Sequence, residues 1–196
     1  MEPDIEQEDR HLVLRLQDGD LEALGDLYDR HRSLVYRTAL AITSEPEAAA
    51  DLLQDVFLRL HRFAHRIDPE RPIQPWLYRI TANLSYTWMK RRSRWLRFLH
   101  EMSDWVSRER RPSVQRQVEL DEEIHWVQQA VASLPLPQRV VVALYYVNDL
   151  SLKEISETLD IPVGTVKSRL YYGRSVLKKK LGLRPEMVLE VLYELS

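Results

Sequence analysis

A basic segment near the end of the chain carries side chains that could bind a polyanion. Lys167, Ser168 and Tyr171 are spaced so that, on a helix, they lie on one face. An ammonium group neutralises phosphate, and hydroxyl groups can hydrogen-bond to the edges of nucleic-acid bases. No acidic residue occurs from Ile161 to Arg184. The seven basic residues of this window are Lys167, Arg169, Arg174, Lys178, Lys179, Lys180 and Arg184. This face is therefore predicted to contact nucleic acid.

Two short helices joined by a tight turn would position this face. Ser151 followed by Glu154 is the signature of a capping box at the start of the first helix. Asp160 begins the turn, and Pro162 suits the first position of the second helix, where its missing N–H is not needed. Apolar residues recur at helical spacing on both helices: Leu152, Ile155 and Leu159 on the first, and Val163, Val166, Leu170, Gly173 and Leu177 on the second. The pattern is typical of a helix-turn-helix, which inserts its second helix into the DNA major groove.

A second basic window lies earlier in the chain. The segment from Arg71 to His100 contains no acid and seven basic residues. They are Arg71, Arg79, Lys90, Arg91, Arg92, Arg94 and Arg97. The two windows together hold 14 of the 28 Lys and Arg residues, although the formal net charge of the chain is only −2. One basic stripe is usually a solvated helix face, but two separated cationic faces on an otherwise acidic chain indicate two contacts with a polyanion.

Composition limits the class of protein. The 196 residues are 44% hydrophobic, which permits two small domains with modest cores. Because cysteine is absent, disulfides and thiolate zinc sites are excluded. No apolar run approaches the roughly 18 residues of a membrane span, and the acidic start does not resemble a signal peptide. We expect no membrane insertion and a cytoplasmic location. Five glycines and the lack of sustained alternation favour an all-α fold.

The apolar pattern divides the chain into two helical blocks. In the first block, a helix is predicted from Ala48 to His65, with apolar residues on one face and polar residues on the other. The apolar face holds Leu53, Val56, Phe57 and Leu60, and the polar face holds Asp51, Gln54 and Asp55. Three prolines make Ile67–Pro75 a loop, after which a basic helix is expected over Trp76–Arg94. A polar passage then separates this block from a second block that begins near Val118.

Enzymatic and metal-dependent functions have little support. The chain lacks a phosphate-binding loop and a dinucleotide-binding glycine pattern. His61 and His65 could share a helix face, but the metalloprotease glutamate between them is absent. We therefore expect no catalytic residues, no metal and no cofactor.

Three segments, in their order along the chain, resemble a known family. They are Glu47–Leu58, then Asp68–Arg71 with Trp76–Asn83, and finally Leu134–Arg139 with Leu152–Arg174. The chain is similar to bacterial RNA polymerase sigma factors of the extracytoplasmic-function group, which keep only the second and fourth conserved sigma regions. The resemblance implies two small helical domains joined by a flexible linker: region 2 over 1–98, a linker over 99–117, region 4 over 118–184 and a tail over 185–196.

The resemblance also implies roles for the first block. Asp51, Gln54 and Asp55 would bind the clamp of core RNA polymerase, although spacing alone favours a merely solvated face. Asn83 would recognise a base flipped out of the downstream promoter element during DNA melting. Four basic residues would contact the DNA backbone beside it: Lys90, Arg91, Arg92 and Arg94. Thr87 replaces an aspartate that is usual in the family.

In the second block, the family's upstream-element contacts correspond to Lys167, Ser168 and Tyr171, with Arg169 and Arg174 directed toward phosphates. Three positions depart from the family pattern. They are Ser156 in place of alanine, Asp160 in place of glycine and Tyr172 in place of arginine. Asp tolerates the left-handed backbone of a tight turn better than most residues, so the turn should survive.

The leading hypothesis is a sigma factor, whose partners would be core RNA polymerase, promoter DNA and an anti-sigma factor. A second hypothesis is a stand-alone transcriptional regulator with a terminal helix-turn-helix. A third is a protein that only sequesters partners through its helical block. Co-elution with core polymerase on gel filtration would separate the first from the second, because a stand-alone repressor would stay free.

Overall fold

A computed structural model of the chain describes residues 5–103 and 122–182, and the side chains over 7–98 and 127–182. Within those ranges every regular element is a helix, which confirms the all-α prediction. The first four helices are α1 (Ile5–Gln17), α2 (Leu21–Thr43), α3 (Pro46–Phe63) and α4 (Gln74–Ser103). The others are α5 (Glu122–Ala132), α6 (Leu136–Tyr146), α7 (Leu152–Leu159) and α8 (Val163–Leu181). A short 3₁₀ helix, Ala64–Arg66, follows α3.

The first four helices form one block around an apolar core. Leu27, Val35 and Leu60 are completely buried there, together with Leu77 from α4. The turn between α1 and α2 is formed by Gly19 and Asp20, which the sequence places between two apolar runs. Gly19 has a φ of +92°, and the Asp20 side chain accepts a hydrogen bond from the backbone N–H of Glu22. The turn and the N-cap together redirect the chain so that α2 packs against α1.

Pro46 and Pro75 lie in the first turns of helices and do not interrupt them. Helix α3 starts at Pro46 and α4 starts at Gln74, so Pro75 lies in the first turn of α4 and not in the preceding loop. Proline is tolerated in a first turn because the N–H that it lacks would have no intrahelical partner. Helix α4 also extends to Ser103, well past the expected end at Arg94 and five residues past the expected domain boundary at residue 98.

The helix-turn-helix forms as expected, with two differences in detail. Ser151 and Glu154 make the reciprocal capping box at the start of α7, and Asp160 adopts the left-handed backbone at φ 53°. Pro162, however, is the N-cap that precedes α8 and not its first helical residue. Val163 was expected on the apolar side of α8 but is 37% exposed, whereas Val166 in the same turn is fully buried.

The two blocks share part of one core. Ile42 at the end of α2 and Ala82 in α4 are almost fully buried, and they belong to the same apolar cluster as the helices of the second block. Helix α2 packs on α5 and α6, and α4 packs on α6 and α7. The expected start of the second block near Val118, most of the linker and the tail over 185–196 lie outside the described residues.

Candidate nucleic-acid interface

The outward face of α8 presents the predicted base contacts to solvent. Lys167, Ser168 and Tyr171 are all exposed, with Tyr171 70% exposed. The opposite side of the helix is anchored by three buried residues, Val166, Leu170 and Leu177. The Ser168 hydroxyl donates to the carbonyl of Thr165 at 3.0 Å, and its lone pairs stay available to a base-edge donor. The arrangement fits a helix held by its apolar side for insertion into a groove.

The two arginines predicted to contact phosphates differ from these residues in their surroundings. Arg169 and Arg174 are half-buried. The Arg174 Nε donates to the Tyr146 hydroxyl at 2.6 Å, and its guanidinium lies over the rings of Tyr145 and Tyr146 at 4.8 and 5.3 Å. These contacts fix Arg174 against α6, so its first role is to join α8 to α6. The consecutive tyrosines were a visible signal in the sequence, but only the fold brings them under an arginine 28 residues later.

The departures from the family pattern have structural consequences. The Ser156 hydroxyl donates to the carbonyl of Ile161 at 2.5 Å and thereby closes the turn between α7 and α8. Tyr172 is 58% exposed, and its ring meets that of Tyr171 edge to face at 5.5 Å. Thr87 donates its hydroxyl to the carbonyl of Asn83 at 2.8 Å, one turn earlier in α4. These three residues therefore make local contacts, and α4, α7 and α8 stay regular at their positions.

One side of α4 forms a second exposed basic face. Asn83, Lys90, Arg91 and Arg94 are exposed and recur at helical intervals, so they lie along one side of the helix. Described residues on that side include no acid from Asn83 to Phe98. From Asn83 to Arg94 the helix advances about 17 Å, since each residue contributes roughly 1.5 Å. An amide at one end and several cations at the other could pair with a base and hold the adjoining backbone.

Arg92, unlike these residues, is half-buried and engaged by neighbouring side chains. Its guanidinium forms an ion pair with Glu45 and lies 5.3 Å from the centre of the Trp88 ring. Trp88 in turn packs against Ala39, Ala49 and Leu52. Trp95 is instead 59% exposed. Arg92 is therefore held by Glu45 and Trp88, whereas Arg91 and Arg94 are exposed. The Lys90 ammonium lies 4.7 Å from the centre of the Tyr86 ring, one turn earlier in α4.

A polar face on α3 lies apart from both basic faces. Asp51, Gln54 and Asp55 are exposed, while Val56 and Leu60 on the other side are fully buried. On the same side of the helix, about one turn after Asp55, lies Leu58, which is 64% exposed. Sequence reasoning missed this leucine because it falls outside the apolar stripe. Its position seven residues after Asp51 and four after Gln54 was the available signal.

The described residues contain no group of three or more His, Cys, Asp or Glu side chains that could hold a metal ion. His61 and His65 lie exposed near the end of α3 and in the 3₁₀ turn. Across the same part of the chain, no helix combines the length and apolar character needed to span a bilayer.

Comparisons with known proteins agree with this geometry. A model of sigma-70 region 2 matches residues 27–95, and a model of sigma-70 region 4 matches residues 124–177. The ECF RNA polymerase sigma factor SigW of Bacillus subtilis is 29% identical over 86% of this chain and 94% of its own length. The ECF RNA polymerase sigma factor SigE of Mycolicibacterium smegmatis is 35% identical over 80% of this chain and 60% of its own length.

Two solved structures share the fold. CnrH in complex with the cytosolic domain of CnrY superposes with a TM-score of 0.64 at 23% identity, covering 89% of this chain and 97% of CnrH. The sigma factor RpoE in complex with the anti-sigma factor NepR from Bartonella quintana gives 0.63 at 21% identity, covering 81% and 98%.

The two region models lie in order on the two helical blocks and together span more than half of the chain. The regions they match include the exposed basic faces of α4 and α8 and the polar face of α3. The chain therefore belongs to the sigma-70 family, in its extracytoplasmic-function group, and is a sigma factor that directs promoter-specific initiation by core RNA polymerase.

Proposed function

We propose that three exposed faces of this sigma factor perform three separate steps of initiation. The polar face of α3 docks on core polymerase, the basic face of α4 holds melted downstream-element DNA, and the outward face of α8 recognises the upstream element. The division corresponds to region 2 over 1–98 and region 4 over 118–184, with the linker between them. The observation that supports it is that each face is solvent-exposed while the opposite side of its helix is buried.

On α3, the docking face combines Asp51, Gln54 and Asp55 with the exposed Leu58. An exposed apolar residue surrounded by polar groups has the composition of an interface centre with a polar rim. Charged groups on the rim set orientation and association rate, while burial of the leucine supplies affinity.

On α4, the amide of Asn83 offers a donor and an acceptor to the edge of an unpaired base. Lys90, Arg91 and Arg94 follow along the same side and neutralise backbone phosphates. Arg92 belongs to this set only if its ion pair with Glu45 is exchanged for a phosphate.

On α8, Ser168, Tyr171 and Lys167 occupy the first three turns, which enter the groove in a helix-turn-helix. Arg169 lies nearer the supporting helices and is suited to a phosphate at the groove edge. Arg174 joins it only if its contact with Tyr146 is exchanged for a phosphate. The protein would act in the cytoplasm with its polymerase, without a catalytic centre or cofactor of its own. Because CnrH and RpoE are described with the proteins that bind them, an anti-sigma factor is also proposed as a partner.

Asn83→Ala tests the assignment of α4. Since Asn83 is exposed, its truncation should leave the fold and the loading onto core polymerase intact. Loss of a base contact should reduce open-complex formation, with a preference of about 1–3 kcal/mol relaxed at one downstream-element position. Permanganate footprinting on a panel of single-base promoter variants measures both effects.

The matched control is Ser93→Ala, which alters an exposed residue of α4 on a different side of the helix. This variant should melt every promoter like the unchanged protein. Normal melting and unchanged base preference in Asn83→Ala would remove Asn83 from the DNA-binding face.

A further inference from the structure

Two aromatic rings are exposed near the end of α4, beyond the segment over which the sequence predicted this helix. Trp95 is 59% exposed and Phe98 is 50% exposed, and neither belongs to an apolar cluster of the described residues. Their ring centroids lie 5.8 Å apart with an interplanar angle of 30°, so the rings stack on each other. Large rings held outside the core present an apolar surface to a partner. We call Trp95 and Phe98 the ring pair.

The ring pair lies on the basic side of α4. Trp95 follows Arg91 by four residues, and Phe98 follows Arg94 by four. Each ring is therefore one turn beyond an exposed arginine, on the same side of the helix. The second basic window, which contains this part of α4, has no acidic residue. The rings thus continue the face that begins at Asn83 and lie among cations.

Leu96 shows that exposed apolar residues do not all lie on this side. It stands between the two rings in sequence and is 52% exposed. It lines an open groove together with Met89 and Arg92, on a different side of α4. The aromatic residues are therefore placed beside the cations, while the aliphatic residue is not.

Rings and cations on one face favour single-stranded nucleic acid as the partner. Aromatic side chains stack on unpaired bases, and cations neutralise the adjoining phosphates. Inside a duplex both faces of a base are covered by its neighbours, so a side-chain ring reaches a base only where the strands have separated. The charge and the exposed ring surface of this part of α4 are complementary to a melted DNA strand.

We propose that the ring pair is a second base-binding site of α4, which stacks on an unpaired base of the strand that Asn83 contacts. The inference rests on the proposed function of α4 and extends it from the edge of one base to the face of another. Trp95 and Phe98 follow Asn83 by 12 and 15 residues. This spacing corresponds to about 18–22 Å along the helix at roughly 1.5 Å per residue. Stacked nucleotides rise about 3.4 Å each, so the stacked base lies within about six nucleotides of the base at Asn83.

Stacking and the Asn83 amide contribute in different ways. An amide distinguishes bases by the donors and acceptors on their edges, whereas stacking tolerates every base because each has a π face. A contact made only with the unpaired strand stabilises the open complex relative to duplex promoter DNA. The ring pair therefore stabilises melted DNA at every promoter, without preference for a base.

The double substitution Trp95→Ala with Phe98→Ala, in the full chain assembled with core polymerase, tests the site. Loss of stacking on one base should shorten the lifetime of open complexes by about 5- to 150-fold, and binding to core polymerase should not change. Permanganate reactivity after a heparin challenge measures the lifetime. Leu96→Ser is the matched control, because it removes a similarly exposed apolar side chain from a different side of α4. Tyrosine at both ring positions (W95Y with F98Y) keeps the rings and should restore most of the lifetime.

Salt dependence separates stacking from charge. On a promoter with a pre-melted bubble, the double variant should keep the slope of log affinity against log salt, because no phosphate contact is lost. Arg91→Gln should reduce that slope by about 0.7, as expected for one phosphate contact with a single strand. A reduced slope in the double variant would contradict stacking.

Three results would overturn or narrow the assignment. Equal open-complex lifetimes for the double variant and Leu96→Ser would overturn the ring pair. Loss of core binding by the double variant would assign the rings to polymerase and also overturn the proposal. If Asn83→Ala leaves melting and base preference unchanged, the proposed function of α4 fails. Impaired melting in Asn83→Ala beside normal melting in the double variant would reject the ring pair alone.

Crosslinking locates the partner without removing an aromatic ring. With p-benzoylphenylalanine in place of Phe98, the holoenzyme should crosslink on irradiation to the melted strand, within about six nucleotides of the base at Asn83. The same photoreactive residue in place of Leu96 is the control and should not crosslink to that strand. Crosslinks from position 98 to polymerase alone, or to duplex DNA alone, would contradict the proposal.

Discussion

On α3, a leucine continues an otherwise polar face. Leu58 is 64% exposed, while Val56 and Leu60 on either side of it in sequence are fully buried. A solvent-exposed leucine contributes little to folding, so its replacement tests binding almost in isolation. Asp51 and Asp55 precede it by seven and three residues, on the same side of the helix.

We predict that Leu58→Ser weakens binding to core polymerase by more than about 1 kcal/mol, as expected when an interface anchor is removed. The free energy of unfolding should change little. Competition between variant and unchanged protein for limiting core polymerase, followed by gel filtration, measures the effect. Leu21→Ser is a matched control, because Leu21 is 61% exposed on a different helix, at the start of α2. Equal loss of binding in both variants would argue against a specific role for Leu58.

Glu154 should make the stability of the helix-turn-helix depend on pH. Hydrogen bonds to Ser151, first through its side chain and then through its backbone N–H, hold the pKa of Glu154 below its ordinary value of 4.5. A carboxylate with a lowered pKa stabilises the folded state above that ordinary value. The contribution is lost as pH falls through the lowered folded-state pKa.

We predict that Glu154→Gln, which keeps an acceptor but removes the charge, lowers the free energy of unfolding near neutral pH by about 0.3–1 kcal/mol. The difference from the unchanged protein should disappear as the solution is acidified below the lowered folded-state pKa of Glu154. Denaturant unfolding at several pH values provides the measurement. Glu157→Gln is the control, since Glu157 is near the C-terminal end of α7, where negative charge is not favoured. A constant difference across pH would exclude charge as the cause.

At the scale of helices, α8 is positioned by a close approach to α6. A Cβ added at Gly173 would come within 2.8 Å of Val142 Cγ2, closer than real Cβ contacts allow. Val142 is itself fully buried, so it has little room to move. The glycine therefore sets the distance between the recognition helix and its support.

We predict that Gly173→Ala destabilises the protein by about 1–3 kcal/mol, since overpacking forces α8 away from α6. Gly164→Ala is the internal control, because nothing lies within 4 Å of a Cβ at that position in the same helix. The control should be neutral or slightly stabilising, given the better helix propensity of alanine. Thermal unfolding monitored by circular dichroism distinguishes the two. Similar stability of both variants would show that α6 and α8 can separate at small cost.

The sequence was sufficient to predict the helices, but it was not sufficient to predict which distant residues they contact. Apolar spacing predicted α3, α7 and α8, and the capping box and the Asp160 turn followed from local chemistry that depends on neighbouring residues only. Arg139 was part of a recognised motif, but its burial against Ile42 depends on a contact across 97 residues. Leu58 was missed for a different reason. The spacing of apolar residues identifies which side of a helix is buried, but it does not identify which exposed residue a partner will cover.

At the scale of the whole molecule, a nearly neutral net charge hides a strongly uneven distribution. The formal charge is −2, yet two windows without acids hold half of the basic residues, on α4 and on α8 with its flanking residues. The acidic remainder should reduce non-specific attraction to DNA until the basic faces are correctly oriented. On α8, we expect the affinity for DNA and the preference for a base sequence to depend on different residues.

Substitutions along α8 test that separation. Ser168 and Tyr171 are exposed in its first half, whereas Lys178, Lys179 and Lys180 form its last turn. In the holoenzyme, Ser168→Ala or Tyr171→Ala should reduce discrimination among upstream-element variants by about 1–3 kcal/mol, as expected for a lost base contact. Lys178→Gln should instead weaken all promoters equally and reduce the slope of log affinity against log salt by about one, as expected for one lost phosphate contact. Binding to single-base promoter variants at several salt concentrations measures both quantities. If Lys178→Gln changes the preferred sequence while Ser168→Ala and Tyr171→Ala do not, α8 enters the groove in the opposite orientation.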